Sequence, residues 1–204
     1  MRTSLLATSL LSAALVLTAC GSNTDTASSD DRSSDSSSSS AKGNDADVAF
    51  LQGMTPHHEQ AVLMSDLVLA AGPPAGVADL ARRIKAAQSP EIDQMTSMLK
   101  DLGATADSGG QGGGHSSGGM DGMGAEAHEG MMSDADLATL KDARGVDAAR
   151  LYLEAMIVHH QGAIKASDAQ LADGVYGPAR MLAESIAKAQ AAEIAEMRQL
   201  LASL

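Results

Sequence analysis

Met54, His57 and His58 form a Met-x-x-His-His unit, and Met156, His159 and His160 repeat it 102 residues later. Thioether plus imidazole, without thiolate, is a donor set suited to a soft ion, copper and Cu(I) above all. Zinc is more usually held by Cys, His and carboxylate. On a helix, adjacent histidines diverge by about 100°, so one of each pair can face a bundle interior while the other faces a neighbour. The methionine three and four positions earlier shares their surface. The stripe extends as Met54, His57, Ala61 and Met64, matched by Met156, His159, Ala163 and Ala166, so the second copy lacks the outer methionine.

The offset persists into a second stretch, where Ile84 meets Ile186, Gln88 meets Gln190, Glu91 meets Glu193 and Met95 meets Met197. A constant period across two elements marks a duplicated supersecondary unit. Gln88, Glu91, Gln190 and Glu193 are expected to serve the histidines as hydrogen-bonding partners that fix the imidazole tautomer. Met95, Met98, Met181 and Met197 are expected to fill core gaps. A lone histidine on an apolar face is most simply a satisfied core residue. Two pairs with methionine at the same spacing weigh towards metal ligation.

The elements that must position these residues are helical. Apolar residues recur at three- and four-residue steps over 47–71 and about 77–102, with Gly72-Pro73-Pro74 between. Ala87 is placed on the inner face of the second helix, and Pro90 predicts a kink or break there with Ser89 as cap. Ser133 starts a short helix to about Ala143. Long helices follow from Asp147 to about Ala172 and from Pro178 almost to Leu204, and no segment alternates with period two. The expected fold is all-α, a four-helix bundle built from two duplicated hairpins with pseudo-twofold symmetry.

Residues 103–130 form a Gly/Ser-rich connector carrying His115, Met120, Met123 and His128, followed by Met131 and Met132. These six residues are auxiliary candidates for weak capture of a soft ion, and a merely solvated linker explains the stretch equally well.

The N-terminus reads as a targeting segment. Arg2 precedes an apolar run from Ser4 to Thr18, too short to span a bilayer comfortably. Leu17-Thr18-Ala19-Cys20-Gly21 resembles a bacterial lipobox, giving a signal peptide over 1–19 and lipidation at Cys20, the single cysteine. A lone cysteine excludes a disulfide framework. Residues 20–46 are the lipidated cysteine and a Ser/Asp-rich tether that cannot bury enough apolar surface to order itself, so the helical domain is expected over 47–204. The chain carries a net charge of -12 and 1% aromatic residues, which argues against nucleic-acid binding. Partners are then a metal ion and, through the lipid anchor, the outer face of the cell membrane. The sequence leaves a homo-oligomer open.

Phe50-x-x-x-Met54-x-x-His57-His58-x-x-Ala61, followed by Gln88-x-x-Glu91-Ile92-x-x-Met95, closely resembles the bacterial family called domain of unknown function 305. The resemblance covers residues 47–204 and includes Gly130-Met131-Met132 and the run from Met156 to Ala163. It implies a ferritin-like bundle, often exported, of which some members bind copper in the periplasm through Met and His. It implies ligands at Met54, His57, His58, Met64, Met156, His159 and His160. Members often carry a Trp near the end of each hairpin, where this chain has Met98 and Leu200.

Three function classes follow. The favoured one is a lipid-anchored, extracytoplasmic protein that buffers or sequesters Cu(I), with no organic cofactor and no catalysis. The second is a structural lipoprotein whose His and Met only fill the core. The third, a ferritin-like metal oxidase, is disfavoured because Glu-x-x-His occurs nowhere in the chain. His58-Glu59 does not open a zinc-protease motif, since Val62 stands at the closing position.

Overall fold

The structure is a computed structural model that describes residues 43–105 and 129–204. Cys20, the signal segment, the tether up to residue 42, and His115, Met120, Met123 and His128 lie outside the described residues.

The described residues form helices α1 (Asp45–Ala70), α2 (Ala75–Asp101), α3 (Asp134–Asp142), α4 (Gly145–Asp173) and α5 (Gly177–Ser203). None is long and apolar enough to cross a membrane. The all-α bundle of two hairpins is what forms. α1 packs along α2 and α4 along α5, the hairpins meet chiefly through α1 against α4, and α2 touches α5 lightly. The duplication survives in three dimensions: α2 and α5 begin and end at the same 102-residue offset.

α1 starts two residues before the expected Asp47, because Asn44 and Asp47 form a reciprocal capping box. The Asp47 N–H donates to Asn44 Oδ1 at 3.0 Å and the Asn44 N–H to Asp47 Oδ2 at 2.8 Å. Ser133 caps α3 through the Asp136 N–H at 3.2 Å.

The expected break at Pro90 does not occur: α2 runs unbroken through it, as α1 runs through Pro56. Each proline follows a hydroxyl residue that bonds the carbonyl one turn back. Thr55 Oγ1 donates to the Leu51 carbonyl at 2.7 Å and Ser89 Oγ to the Lys85 carbonyl at 2.8 Å. Ser89 therefore serves the helix interior and does not cap a new start. Proline removes one rung of the ladder, and packing on both sides keeps the remainder in line. Ala87 is exposed, and the buried position beside it is Gln88.

Two apolar clusters fill the bundle. One gathers Phe50, Leu51, Met54, Met95, Leu99, Ala163 and Ile186. The other gathers Met64, Val68, Leu80, Ile84, Tyr152, Leu153, Met156 and Met197. Because α1 and α4 run antiparallel, residues 57–58 of one and 159–160 of the other fall between the clusters. Each large side chain so buried is worth about 1.5–3 kcal/mol relative to exposure. Met95 and Met197 are core residues as expected and Met98 is partly buried. Met181 contradicts that expectation, being 67% exposed on the outside of α5.

The two interhelix turns differ for a legible reason. In the α4–α5 turn the Val175 and Tyr176 N–H groups donate to the buried Asp47 carboxylate at 3.0–3.1 Å. The equivalent positions of the α1–α2 turn are Pro73 and Pro74, which have no N–H to satisfy. The residue matching Asp47 is accordingly Ala149, packed in the apolar cluster. Gln170 Nε2 also donates to Asp47 Oδ1, and its counterpart is the apolar Val68.

Candidate metal centre

His57, His58, His159 and His160 are all fully buried, as are Met54, Met64 and Met156. The four imidazoles form a layer between the apolar clusters. Met54 lies on one side of that layer, and Met64 and Met156 on the other.

At the centre the symmetry-related rings of His57 and His159 stack, with centroids 3.7 Å apart and planes tilted by 39°. Neither ring nitrogen of His159 makes a well-formed hydrogen bond, and the nearby His57 backbone only partly offsets the burial of the ring. Burial, reinforced by the charges that His57, His160 and His58 would carry, holds the His159 pKa well below the usual 6.5. His159 is therefore a neutral base with a lone pair to offer.

The outer pair is held differently. His58 Nε2 lies 2.9 Å from Glu91 Oε2, and His160 Nε2 lies 2.7 Å from Glu193 Oε2. A carboxylate only accepts, so in the neutral ring Nε2 carries the proton and Nδ1 keeps its lone pair. Both Nδ1 atoms are buried without a partner. Carboxylate, then imidazole, then an unspent nitrogen is how a metal-ligating histidine is oriented. Glu91 and Glu193 each lie within hydrogen-bonding reach of one histidine. The glutamines differ. Gln88 and Gln190 are buried in the layer, but neither amide atom of Gln88 and not the Gln190 Oε1 makes a hydrogen bond.

A strap that spacing alone did not reveal crosses the histidine layer. His57 Nε2 is 3.3 Å from the Glu129 carbonyl oxygen, and Gln60 clamps Met132 from both sides, at 2.7 Å to its N–H and 3.0 Å to its carbonyl. Lys165 Nζ pairs with Glu129 Oε2 at 2.6 Å. On α4 the strap lies so close that a Cβ on Gly162 would sit 1.8 Å from the Glu129 carbonyl oxygen. Gly130 turns there with φ +86, in the left-handed region. Gln60 and Gly162 are offset partners, so the two repeats differ where the strap crosses them. Met131 and Met132 are partly buried in it and line a cleft with Leu151, Glu154 and Val158.

Among the described residues no three His, Cys, Asp or Glu side chains come together as a group able to hold an ion alone. The donors that fit are the unspent imidazole nitrogens supplemented by thioethers, a set that matches a soft ion. Each buried nitrogen without a partner costs about 1–3 kcal/mol, which coordination would remove.

The sequence profile of Domain of unknown function (DUF305) matches residues 47–201, so the chain belongs to that family. Solved structures agree. A candidate secreted DUF305 protein from Streptomyces coelicolor superposes with TM-score 0.68 at 28% identity, covering 78% of this chain and 93% of that one. A DUF305 fragment from Deinococcus radiodurans gives 0.66 at 29% identity, covering 79% and 99%. CopM in its Cu(II)-bound form gives 0.61 at 26% identity, covering 77% and 96%. No curated protein matches the chain.

Proposed function

We propose that this protein binds Cu(I) outside the cytoplasm, buffering or sequestering it, and that it is not an enzyme. The observation that carries the reading is the buried layer of four histidines, in which His58, His159 and His160 keep unspent nitrogens. Glu91 and Glu193 orient two of those rings. Met54, Met64 and Met156, buried on either side of the layer, are the thioethers that would supplement those nitrogens in this reading. The similarity to CopM, solved with Cu(II) bound, supports copper. The similarity to a candidate secreted protein and the lipobox-like Cys20 support an extracytoplasmic, lipid-anchored location. Met131, Met132 and the outlying His115, Met120, Met123 and His128 are auxiliary capture residues in this reading.

Chelator competition with Cu(I) tests it, comparing the mature protein with a variant carrying Ala at positions 57, 58, 159 and 160, and with the near-isosteric Met156→Leu. The quadruple variant loses tight binding and Met156→Leu weakens it. Equal titrations for all three proteins contradict the reading. A melting temperature indifferent to Cu(I) or Ag(I) would instead favour a purely structural lipoprotein, since an ion bound only by the folded state must stabilise it.

A further inference from the structure

The pseudo-twofold fails at one place on the outer surface, between α2 and α5. On one side Arg83 Nη2 donates to Glu196 Oε1 at 2.5 Å and feels the charges of Asp79 and Glu193. There Leu200 packs so that its Cδ2 would lie 3.0 Å from a Cβ on Gly76. That side is occupied by a resident guanidinium and an apolar side chain.

At the 102-residue offset, each of those residues has a partner of different chemistry. Ser185 replaces Arg83, Gln94 replaces Glu196, Met181 replaces Asp79 and Met98 replaces Leu200, while Glu91 keeps the place of Glu193. These five residues line an open cleft of about 290 Å³. The cation and two carboxylates of the other side are gone, one thioether stands in place of Asp79 and a second in place of Leu200. Met181 is 67% exposed, an unusual position for an apolar side chain with no core to fill. Glu91 is common to the cleft and the histidine layer. Its side chain is 18% exposed, and its Oε2 holds His58 Nε2.

We propose that this cleft is an outer docking site for a soft monovalent cation, Cu(I) or Ag(I), held by the Met98 and Met181 thioethers beside the Glu91 carboxylate. From there the ion passes to the buried layer through the first hairpin only. Thioethers select for softness, and the carboxylate supplies the charge that attracts a cation to a partly desolvated groove. On the opposite side Arg83 is paired with Glu196 beside Glu193, and Asp79 and Leu200 stand where the thioethers would be, so a soft cation finds a resident guanidinium and no sulfur there. This deepens the copper-binding reading and rests on it.

The test uses the full mature protein labelled at its methionine methyl groups and titrated with Ag(I), followed by NMR. The Met98 and Met181 methyls are expected to shift at the lowest Ag(I) additions, before those of Met54 and Met156. Stopped-flow loading is expected to slow by about tenfold or more in Met181→Gln, and likewise in Gln94→Glu/Ser185→Arg, which installs the opposite side's ion pair. Met181 and Ser185 are exposed, so these variants keep the fold, as circular dichroism can verify. Stationary Met98 and Met181 methyls alongside a responding buried layer overturn the docking site and leave the copper-binding reading standing. Wild-type loading rates in both variants overturn it too. Shifts at Met98 and Met181 with a silent buried layer support the cleft as a binding site and overturn the buried centre and the route to it.

Discussion

His57 and His159, equivalent residues of the two repeats, stack on each other at 3.7 Å between ring centroids. Two rings in such contact cannot both be protonated without strong repulsion, and burial disfavours even one charge. The bundle thus keeps His159 as a neutral donor, the form a metal ion needs.

The pH dependence follows from His159. Its folded-state pKa is depressed, while in the unfolded chain it titrates near 6.5. Below that value the unfolded state binds a proton that the folded state refuses. Stability of the metal-free protein is therefore full above about pH 6.5 and declines as pH falls towards the folded-state value, by up to about 1.4 kcal/mol per pH unit. Urea unfolding at pH 7.5, 6.5 and 5.5 checks this, and a flat profile across that window would show that His159 is not held neutral.

Glu91 Oε2 holds His58 and Glu193 Oε2 holds His160, so in the proposed copper site the two carboxylates would act on the ion through those rings. Glu91→Gln or Glu193→Gln removes the fixed acceptor, since an amide can present either end to Nε2, and is expected to weaken Cu(I) binding by about 10–100-fold. Chelator competition on the two single variants measures it. Unchanged affinity would reduce the carboxylates to structural groups.

Asp47 anchors the α4–α5 turn. Its burial alone would raise the carboxyl pKa, but hydrogen bonds from Asn44, Gln170, Val175 and Tyr176 bring it below 3.8. Its contribution is complete above the unfolded value and is lost as pH falls through the lower folded one. Asp47→Ala leaves the Val175 and Tyr176 N–H groups without their acceptor and should cost about 2–4 kcal/mol. The pseudo-equivalent Ala149→Asp would bury a carboxylate in an apolar cluster, where the matching turn offers Pro73 and Pro74 in place of two N–H donors, and should destabilise still more. Denaturant midpoints of the two variants decide the matter.

Ser65 Oγ and Tyr152 Oη are 3.1 Å apart in the core. Their offset partners are Ser167 and Phe50, and the Ser167 hydroxyl is buried with no partner. Phe50→Tyr should supply that partner and stabilise the protein by about 1 kcal/mol, read as a higher melting temperature. A lower one would mean that the second half lacks room for the added hydroxyl.

The helices and their pairing were legible in the sequence because a 102-residue repeat carries apolar, His and Met positions together, whereas helical spacing left one histidine of each pair to face a neighbour and did not foretell that all four are buried. Periodicity could not reveal how two prolines are accommodated, since that depends on the Thr55 and Ser89 hydroxyls and on packing. It misplaced Met181, whose offset partner is the charged Asp79, a mismatch that already argued for a surface position. The strap was illegible because it rests on the absence of a side chain at Gly162 and on a distant hydrogen bond from Gln60. Positions where the repeats disagree proved as informative as those where they match.

X-ray absorption at the copper edge of Cu(I)-loaded protein reads the proposed ligand set itself. Mixed nitrogen and sulfur scatterers are expected, with the nitrogen shell lost when positions 57, 58, 159 and 160 are all Ala. A spectrum with oxygen and nitrogen alone, or one unchanged by those four substitutions, would contradict it.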